Sequence, residues 1–185
     1  DVARQTGSAL DTNAKEQWLW KRHRVLAYDG STVSMPDTLE NQEAYPQPPQ
    51  QKKGVGFPMA RIAAFFSLSC GAVVELGICK NTGKGNSELG LLRKLWNILK
   101  PGDVLLSDRY MCAWTELVML KQRGVDSVTR LHHLRRIDVR RAKRLGPDDH
   151  IVEWPKPPKP RSIDQKTYDT LPDFLMVRET RVQVE

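Results

Sequence analysis

The chain is poor in cysteine: Cys70, Cys79 and Cys112 are its only three. They form neither an even set nor a Cys-x-x-Cys pair, so neither a disulfide framework nor a thiolate metal knuckle is expected. Free thiols packed as small hydrophobes in a reducing compartment are the expectation. Long apolar runs are missing as well. The longest, around residues 62–68, is interrupted by Ser67 and falls far short of the ~20 residues a membrane helix needs. The polar start has no charged end followed by an apolar core, so no signal peptide is expected there. A Gly-x-x-x-x-Gly-Lys-Ser/Thr phosphate loop is also absent. Thr82-Gly83-Lys84-Gly85 has only its flavour and reads as a turn after a hairpin. No internal repeat occurs.

What is present is a chain of 185 residues, 39% hydrophobic, with a formal net charge of +7. That suffices for one packed domain with a sizeable insertion and is too apolar for global disorder. Residues 1–20 look weakly helical around Leu10, Trp18, Leu19 and Trp20. Residues 23–30 hold the apolar run Val25-Leu26-Ala27-Tyr28, which reads as a buried strand ending in an acid, Asp29, with Gly30 as punctuation. From 31 to 58 the composition turns to Pro, Gln, Asn and Gly, predicting a long surface loop, functional or mobile. Residues 59–69 and 72–80 then read as a hairpin turning at Cys70-Gly71.

A helix follows, capped by Asn86 or Ser87, with Leu92, Leu95, Trp96 and Leu99 at helical spacing and a stop at Lys100-Pro101-Gly102. Residues 103–109 form a second short apolar strand ending in an acid, Asp108. A second helix holds Trp114, Leu117 and Val118, reaches back to Met111 and closes at Gly124, before a strand over 125–130. Strand, loop, hairpin, helix, strand, helix, strand predicts an α/β fold on a mixed sheet flanked by helices. After Arg130 the character changes. Arg130, Arg135, Arg136, Arg140, Arg141, Lys143 and Arg144 crowd a short stretch, residues 151–154 and 175–185 are strand-like, and a Pro/Lys linker separates them. Three regions are expected: a helical remnant over 1–22, the first part of a catalytic core over 23–131, and a basic β-rich insertion over 132–185.

Asp29 and Asp108 carry the chemistry. Each ends a short apolar strand, and an open sheet presents the ends of neighbouring strands at one crevice. If the strands are adjacent, the carboxylates converge and need a hard cation between them. A pair of such ions can activate one oxygen and stabilise the leaving one in phosphodiester chemistry. Strand-end acids also serve as helix caps or solvated turn residues, and spacing alone does not separate the two uses.

The neighbouring residues add a resemblance. Asp29-Gly30-Ser31-Thr32, followed by Met35-Pro36-Asp37-Thr38 and Asn41, looks like the first-acid motif of the DDE transposases of bacterial insertion sequences, in the insertion-sequence-four group. Ser107-Asp108-Arg109-Tyr110 looks like the second-acid motif, preceded by Gly102-Asp103 and followed by a helix, Gly124 and a strand ending at Arg130. Leu171-Pro172 ahead of Val177-Arg178-Glu179 also reads like that group. The resemblance runs from about Trp18 to Glu185 and rests on the order and spacing of motifs, none specific alone.

The resemblance implies an RNase H-like core that holds Mg²⁺, or Mn²⁺, in a two-metal site through Asp29 and Asp108. It implies cut-and-paste DNA transposition by hydrolysis and strand transfer at transposon ends. Expected partners are double-stranded DNA, as terminal inverted repeats and target, and a second copy of the chain. The expected location is the bacterial cytoplasm, at the nucleoid when bound to DNA.

One departure stands out. The group's third acid is a Glu in a Tyr-x-x-Arg-x-x-x-Glu pattern, and none of Tyr28, Tyr45, Tyr110 and Tyr168 is followed at the third position by Arg. Glu153 is a weaker substitute, set beside Trp154 in a strand-like segment. The third acid is therefore expected on a helix beyond residue 185. A start at Asp1 and a final strand without an evident partner likewise predict a fragment, truncated before the final catalytic helix. Arg109, Arg130, Arg135, Arg136, Arg140 and Arg141 are candidate DNA contacts, suited to neutralising phosphate without reading sequence. Trp154 is a candidate for stacking on an unpaired base, or a core residue. His132 and His133 are neighbours whose side chains would diverge on regular structure, so no metal role is expected. Two other readings remain: an RNase H-like nuclease without strand transfer, and a decayed copy that only binds DNA.

Overall fold

Strand β1 (Val25–Ser34) is flanked by β2 (Met59–Ser67) and β4 (Val104–Ser107), and these carry β3 (Val73–Lys80) and β5 (Asp126–Thr129) outside them. The computed structural model, which describes residues 2–52, 54–136 and 138–182, gives a five-stranded sheet in the order β3-β2-β1-β4-β5. Strands β1, β2 and β3 pair antiparallel, whereas β1, β4 and β5 run parallel. The parallel pairs need crossovers, and helices supply them: α3 (Glu88–Leu95) precedes β4 and α4 (Trp114–Gln122) precedes β5. The mixed α/β architecture is consistent with the RNase H-like fold expected from the sequence.

One face of the sheet is core. Leu26, Tyr28, Phe65 and Leu105 point into it and are buried against Leu91, Leu92 and Trp96 of the α3 region and Leu120 of α4. Ser87 caps α3, accepting the Gly90 N–H at 3.1 Å. Helix α1 (Val2–Thr12) closes the β3 side. A Cβ on Gly7 would stand 1.8 Å from the Val73 carbonyl oxygen, so only glycine lets this helix come so near the strand. Half-buried Arg24 fixes the same corner, donating to Asp11 at 2.7 Å and to Asp103 at 2.8 Å.

The insertion is a second, three-stranded antiparallel sheet, order β6-β7-β8, built from β6 (Lys143–Gly146), β7 (Asp149–Pro155) and β8 (Phe174–Thr180). Val152, Trp154 and Leu175 of this sheet share a core with Cys112, Trp114, Leu117 and Val118. The insertion is thus mounted on the outside of α4 by apolar packing.

Several expectations are corrected. β1 does not stop at Gly30 but runs to Ser34, because its pairing with β2 continues to Ser34 opposite Met59. The long loop is not structureless. It contains α2 (Leu39–Ala44), capped by Thr38, and is knitted by glutamines: Gln42 Nε2 donates to Asp37 Oδ1 at 2.8 Å and to the Gly56 carbonyl at 3.0 Å. Met111 lies in a 3-10 turn (Arg109–Met111) ahead of α4 rather than in the helix. The last strand has a partner after all, since β8 pairs with β7 from Phe174 to Thr180. Its expected continuation over 183–185 lies outside the described residues. His132 and His133 do not diverge either. They stack with ring centroids 4.5 Å apart, because the segment that carries them is neither helix nor strand.

Candidate active site at the ends of the parallel strands

In the parallel pairing of β1 with β4 the last matched residues are Tyr28 and Ser107. Asp29, on β1, and Asp108, which directly follows β4, are the next residues after that pair, so their backbones lie side by side at the ~4.8 Å spacing of neighbouring strands. Alternation puts them on the face opposite Tyr28, the face that does not carry α3. On the far side of β4, Ser107 matches Thr129 in β5, which sets Arg130 at the same level beyond Asp108. A row Asp29, Asp108, Arg130 therefore crosses the sheet just where the parallel pairing of β1, β4 and β5 ends, Asp29 lying within β1 and the other two directly after β4 and β5. All three are exposed.

This second face is open and apolar around the row. Ile62, Phe66, Leu76, Ile78 and Val128 are exposed on it, brought to the same side by the registers Ile62 opposite Ile78, Ala64 opposite Leu76 and Ala27 opposite Phe66. A strand buried on both faces would read as continuously apolar. These strands do read so. On this face Val25 and Val104, at the start of β1 and β4, are buried, yet the part around the row is open.

Local bonds orient each carboxylate. Asp29 Oδ1 accepts the Gly30 N–H at 2.8 Å. Asp108 Oδ1 accepts the Tyr110 N–H at 2.9 Å and the Met111 N–H at 3.4 Å, capping the 3-10 turn, while its carbonyl accepts the Thr129 hydroxyl at 2.6 Å. The cap reading and the site reading of Asp108 are therefore compatible, since the cap occupies Oδ1. Among the described residues Oδ2 of both acids takes no hydrogen bond.

Gly30 is needed beside Asp29, because a Cβ there would stand 2.7 Å from Glu88 Cγ. Glu88 in turn is held by Arg61 at 2.8 Å and receives the Tyr28 hydroxyl on its carbonyl at 2.7 Å. Burial, reinforced by the Glu88 carboxylate, pushes the Tyr28 phenol well above its ordinary range, so it stays a neutral donor.

A hard divalent cation suits this donor set, since Mg²⁺ takes one or two carboxylates and completes its shell with water and phosphate oxygens. Among the described residues no group of three His, Cys, Asp or Glu could hold a metal ion. Asp29 and Asp108 thus fit as two ligands of an incomplete set. Glu153 stands on β7, in the insertion sheet rather than in the row.

The other candidates divide between two places. Arg109 and Arg130 flank Asp108, both exposed. Arg135, Arg136, Arg140 and Arg141 lie instead in the insertion, around a groove of about 750 Å³ that Trp154 and Glu179 also line. Arg140 is bound to Asp138 through two oxygens, at 2.9 and 2.6 Å, which holds the Asp138 carboxyl well below its usual range. Trp154 is 5% exposed. The Arg135 guanidinium lies 3.6 Å from its ring centroid, and its Nε1 donates to Glu179 Oε1 at 2.7 Å. Stacking on a base would require Arg135 to leave. Sequence reasoning passed over Glu179 as a groove residue; its alternation with Val177 along a strand was the available signal.

No protein-family model matches the chain, and no curated protein does. Solved structures that match are complexes of Mos1 transposase. The Mos1 strand transfer complex has a TM-score of 0.36 and 15% identity, covering 71% of this chain and 41% of that one. The Mos1 transposase paired-end complex with left transposon end has a TM-score of 0.33 and 16% identity over 68% of this chain and 40% of that one. A pre-cleavage Mos1 transpososome has a TM-score of 0.33 and 14% identity over 70% and 42%. The chain spans about two-fifths of the length of these neighbours. At such scores and identities the likeness assigns no residue.

Proposed function

We propose that the chain is part of the catalytic domain of a DDE transposase that moves DNA by cut and paste. The observation that supports this reading is the parallel pairing of β1 with β4 through Tyr28 and Ser107, the residues that immediately precede Asp29 and Asp108. The motif resemblance to the insertion-sequence-four group of bacterial elements supports it. Asp29 and Asp108 would hold Mg²⁺ or Mn²⁺ through Oδ2, with a Glu from beyond residue 185 completing the set. When bound, that metal pair supplies Lewis-acid activation of the attacking oxygen and stabilisation of the leaving one.

The chain's own residues orient and neutralise. The Tyr110 and Met111 N–H groups hold the Asp108 carboxylate in one rotamer. The Thr129 hydroxyl ties the Asp108 backbone to β5, keeping the strand ends level. Arg109 and Arg130 stand where a phosphodiester brought to the two acids would need positive charge, and the insertion arginines extend contact along a duplex. The substrates on this reading are terminal inverted repeats and target DNA, handled by a pair of chains in the bacterial cytoplasm. Among the described residues no helix is long and apolar enough to cross a membrane.

The test is Mn²⁺ binding to the 185-residue chain by paramagnetic resonance. Binding that is lost in both Asp29→Asn and Asp108→Asn supports the site, and equal binding in all three chains overturns it. Strand joining by the chain extended through its reading frame then separates a transposase from a nuclease, which cleaves only. DNA binding that survives both substitutions without metal-dependent cleavage would mark a copy that only binds DNA.

A further inference from the structure

Strand β3 is the outermost strand on its side of the five-stranded sheet, so one of its edges has no strand beside it. Such an edge offers N–H and C=O groups to any chain that reaches it, and folded proteins cover it. Here the cover is α1, and polar contacts hold it. No apolar side chain of α1 is buried; within the helix only Gly7 is. At Leu76 both backbone groups are engaged outside the ladder with β2. The N–H donates to Glu75 Oε1 at 2.9 Å, and the carbonyl accepts from the Arg4 guanidinium, which also pairs with the Glu75 carboxylate. A glutamate and an arginine thus stand in for the strand that the edge lacks. Alternation along the strand turns the backbone groups of Ile78 and Lys80 the same way. Leu76, Ile78 and Lys80 are all exposed, and the first two belong with Ile62 and Phe66 to the apolar open face.

We propose that the free edge of β3 is a surface through which two copies of this chain pair, and that α1 is its removable guard. The edge matches itself. With two copies antiparallel about a two-fold axis at Ile78, Ile78 faces Ile78 and Leu76 faces Lys80, and every facing residue is one whose backbone points outward. Each facing pair then exchanges both of its backbone hydrogen bonds. The apolar open face runs on from one copy into the next, with the Lys80 stem lying along Leu76 and its ammonium in water. A second copy is favoured over an unrelated strand because one edge supplies both halves of this match and joins two apolar faces that each end at it. The helix and an incoming strand exclude one another. Arg4 holds the Leu76 carbonyl, and the helix backbone stands so near β3 that a Cβ on Gly7 would lie 1.8 Å from the Val73 carbonyl oxygen. The inference is independent of the metal and DNA readings, since β2 separates β3 from the strand that carries Asp29.

The experiment combines light scattering of the 185-residue chain with amide hydrogen exchange. The wild type should have the mass of one copy. Arg4→Glu removes the donor to Leu76 and sets like charge against Glu75, while Gly7→Val drives the helix off Val73 by bulk. Each variant should double the mass, with faster exchange over residues 2–12 and slower exchange at the Ile78 and Lys80 amides. Adding Ile78→Pro removes an outward N–H but none from the ladder with β2, and it should return the mass to one copy. The two release variants act by different means, so a folding failure in one leaves the other to decide. A released α1 with the mass of one copy overturns the inference, and so does a doubled mass that Ile78→Pro does not reverse. A wild type that is already double with α1 protected overturns the guard, and mass growing past two copies overturns the closed pairing.

Discussion

Trp114 Nε1, on α4, donates to the backbone carbonyl of Trp154, on β7, at 3.0 Å in a buried position. This bond joins a helix of the five-stranded sheet to the three-stranded one, and both indoles belong to one apolar cluster. Replacing Trp114 by Phe keeps most of the packing but removes a buried donor to the Trp154 carbonyl, which stays in the β7–β8 ladder opposite Leu175. The expected cost is about 0.5–1.5 kcal/mol, read as a lowered midpoint in urea unfolding followed by far-ultraviolet dichroism. A variant as stable as wild type would show that the insertion does not depend on this bond.

Gly30 and Glu88 are coupled by space. A methyl group at residue 30 meets Glu88 Cγ at 2.7 Å and the Ile62 carbonyl oxygen at 3.3 Å. Gly30→Ala should therefore cost about 1–3 kcal/mol, as overpacking does. Much of that cost should vanish in the background of Glu88→Ala, because only the tighter of the two contacts comes from that side chain. A double-mutant cycle on unfolding free energies checks this. Additive effects would mean that the strain lies in the backbone contact instead.

Arg24 is placed between two carboxylates that are themselves almost fully buried, Asp11 and Asp103. Arg24→Met removes the shared cation and leaves both acids without it, which should cost about 3–5 kcal/mol. Hydrogen exchange should also show α1 opening first, since Asp11 is one of its few anchors to the sheet. Unchanged protection of residues 2–12 would contradict this.

The legible part of this molecule was the part governed by local pattern. Short Val- and Leu-rich runs ending in Asp29 and Asp108 announced two buried strands, and Ser87 with Lys100-Pro101-Gly102 bracketed a helix. That the two strands are neighbours is a fact of long-range pairing, which periodicity does not encode. The glycine at 30 looked like punctuation because its reason, Glu88, lies 58 positions away in sequence as the difference of the two numbers. The Pro- and Gln-rich stretch hid α2 because glutamine bonds across the loop, from Gln42 to Gly56, supply order that apolar patterning does not reveal. Counting arginines found the basic insertion. It could not tell Arg140, bound to Asp138, from Arg136 and Arg141, which make no ion pair or hydrogen bond with the described residues.

The pairing of β7 with β8 should carry a measurable pH dependence. Asp149 accepts from Arg178 at 2.8 and 2.7 Å, and that guanidinium holds the carboxyl below its ordinary value of 3.8. A group whose folded pKa is depressed contributes stability above its unfolded pKa and loses it as the pH falls through the folded one. The contribution is therefore complete near neutrality and disappears only in the acid range below the ordinary Asp value. Arg178 is exposed and Asp149 half-buried, so salt should weaken the effect. Carbon-detected titration of Asp149 should give a midpoint below that of an unstructured peptide, and Arg178→Gln should return it to the ordinary range. A midpoint that does not move in the variant would place the cause elsewhere in β7.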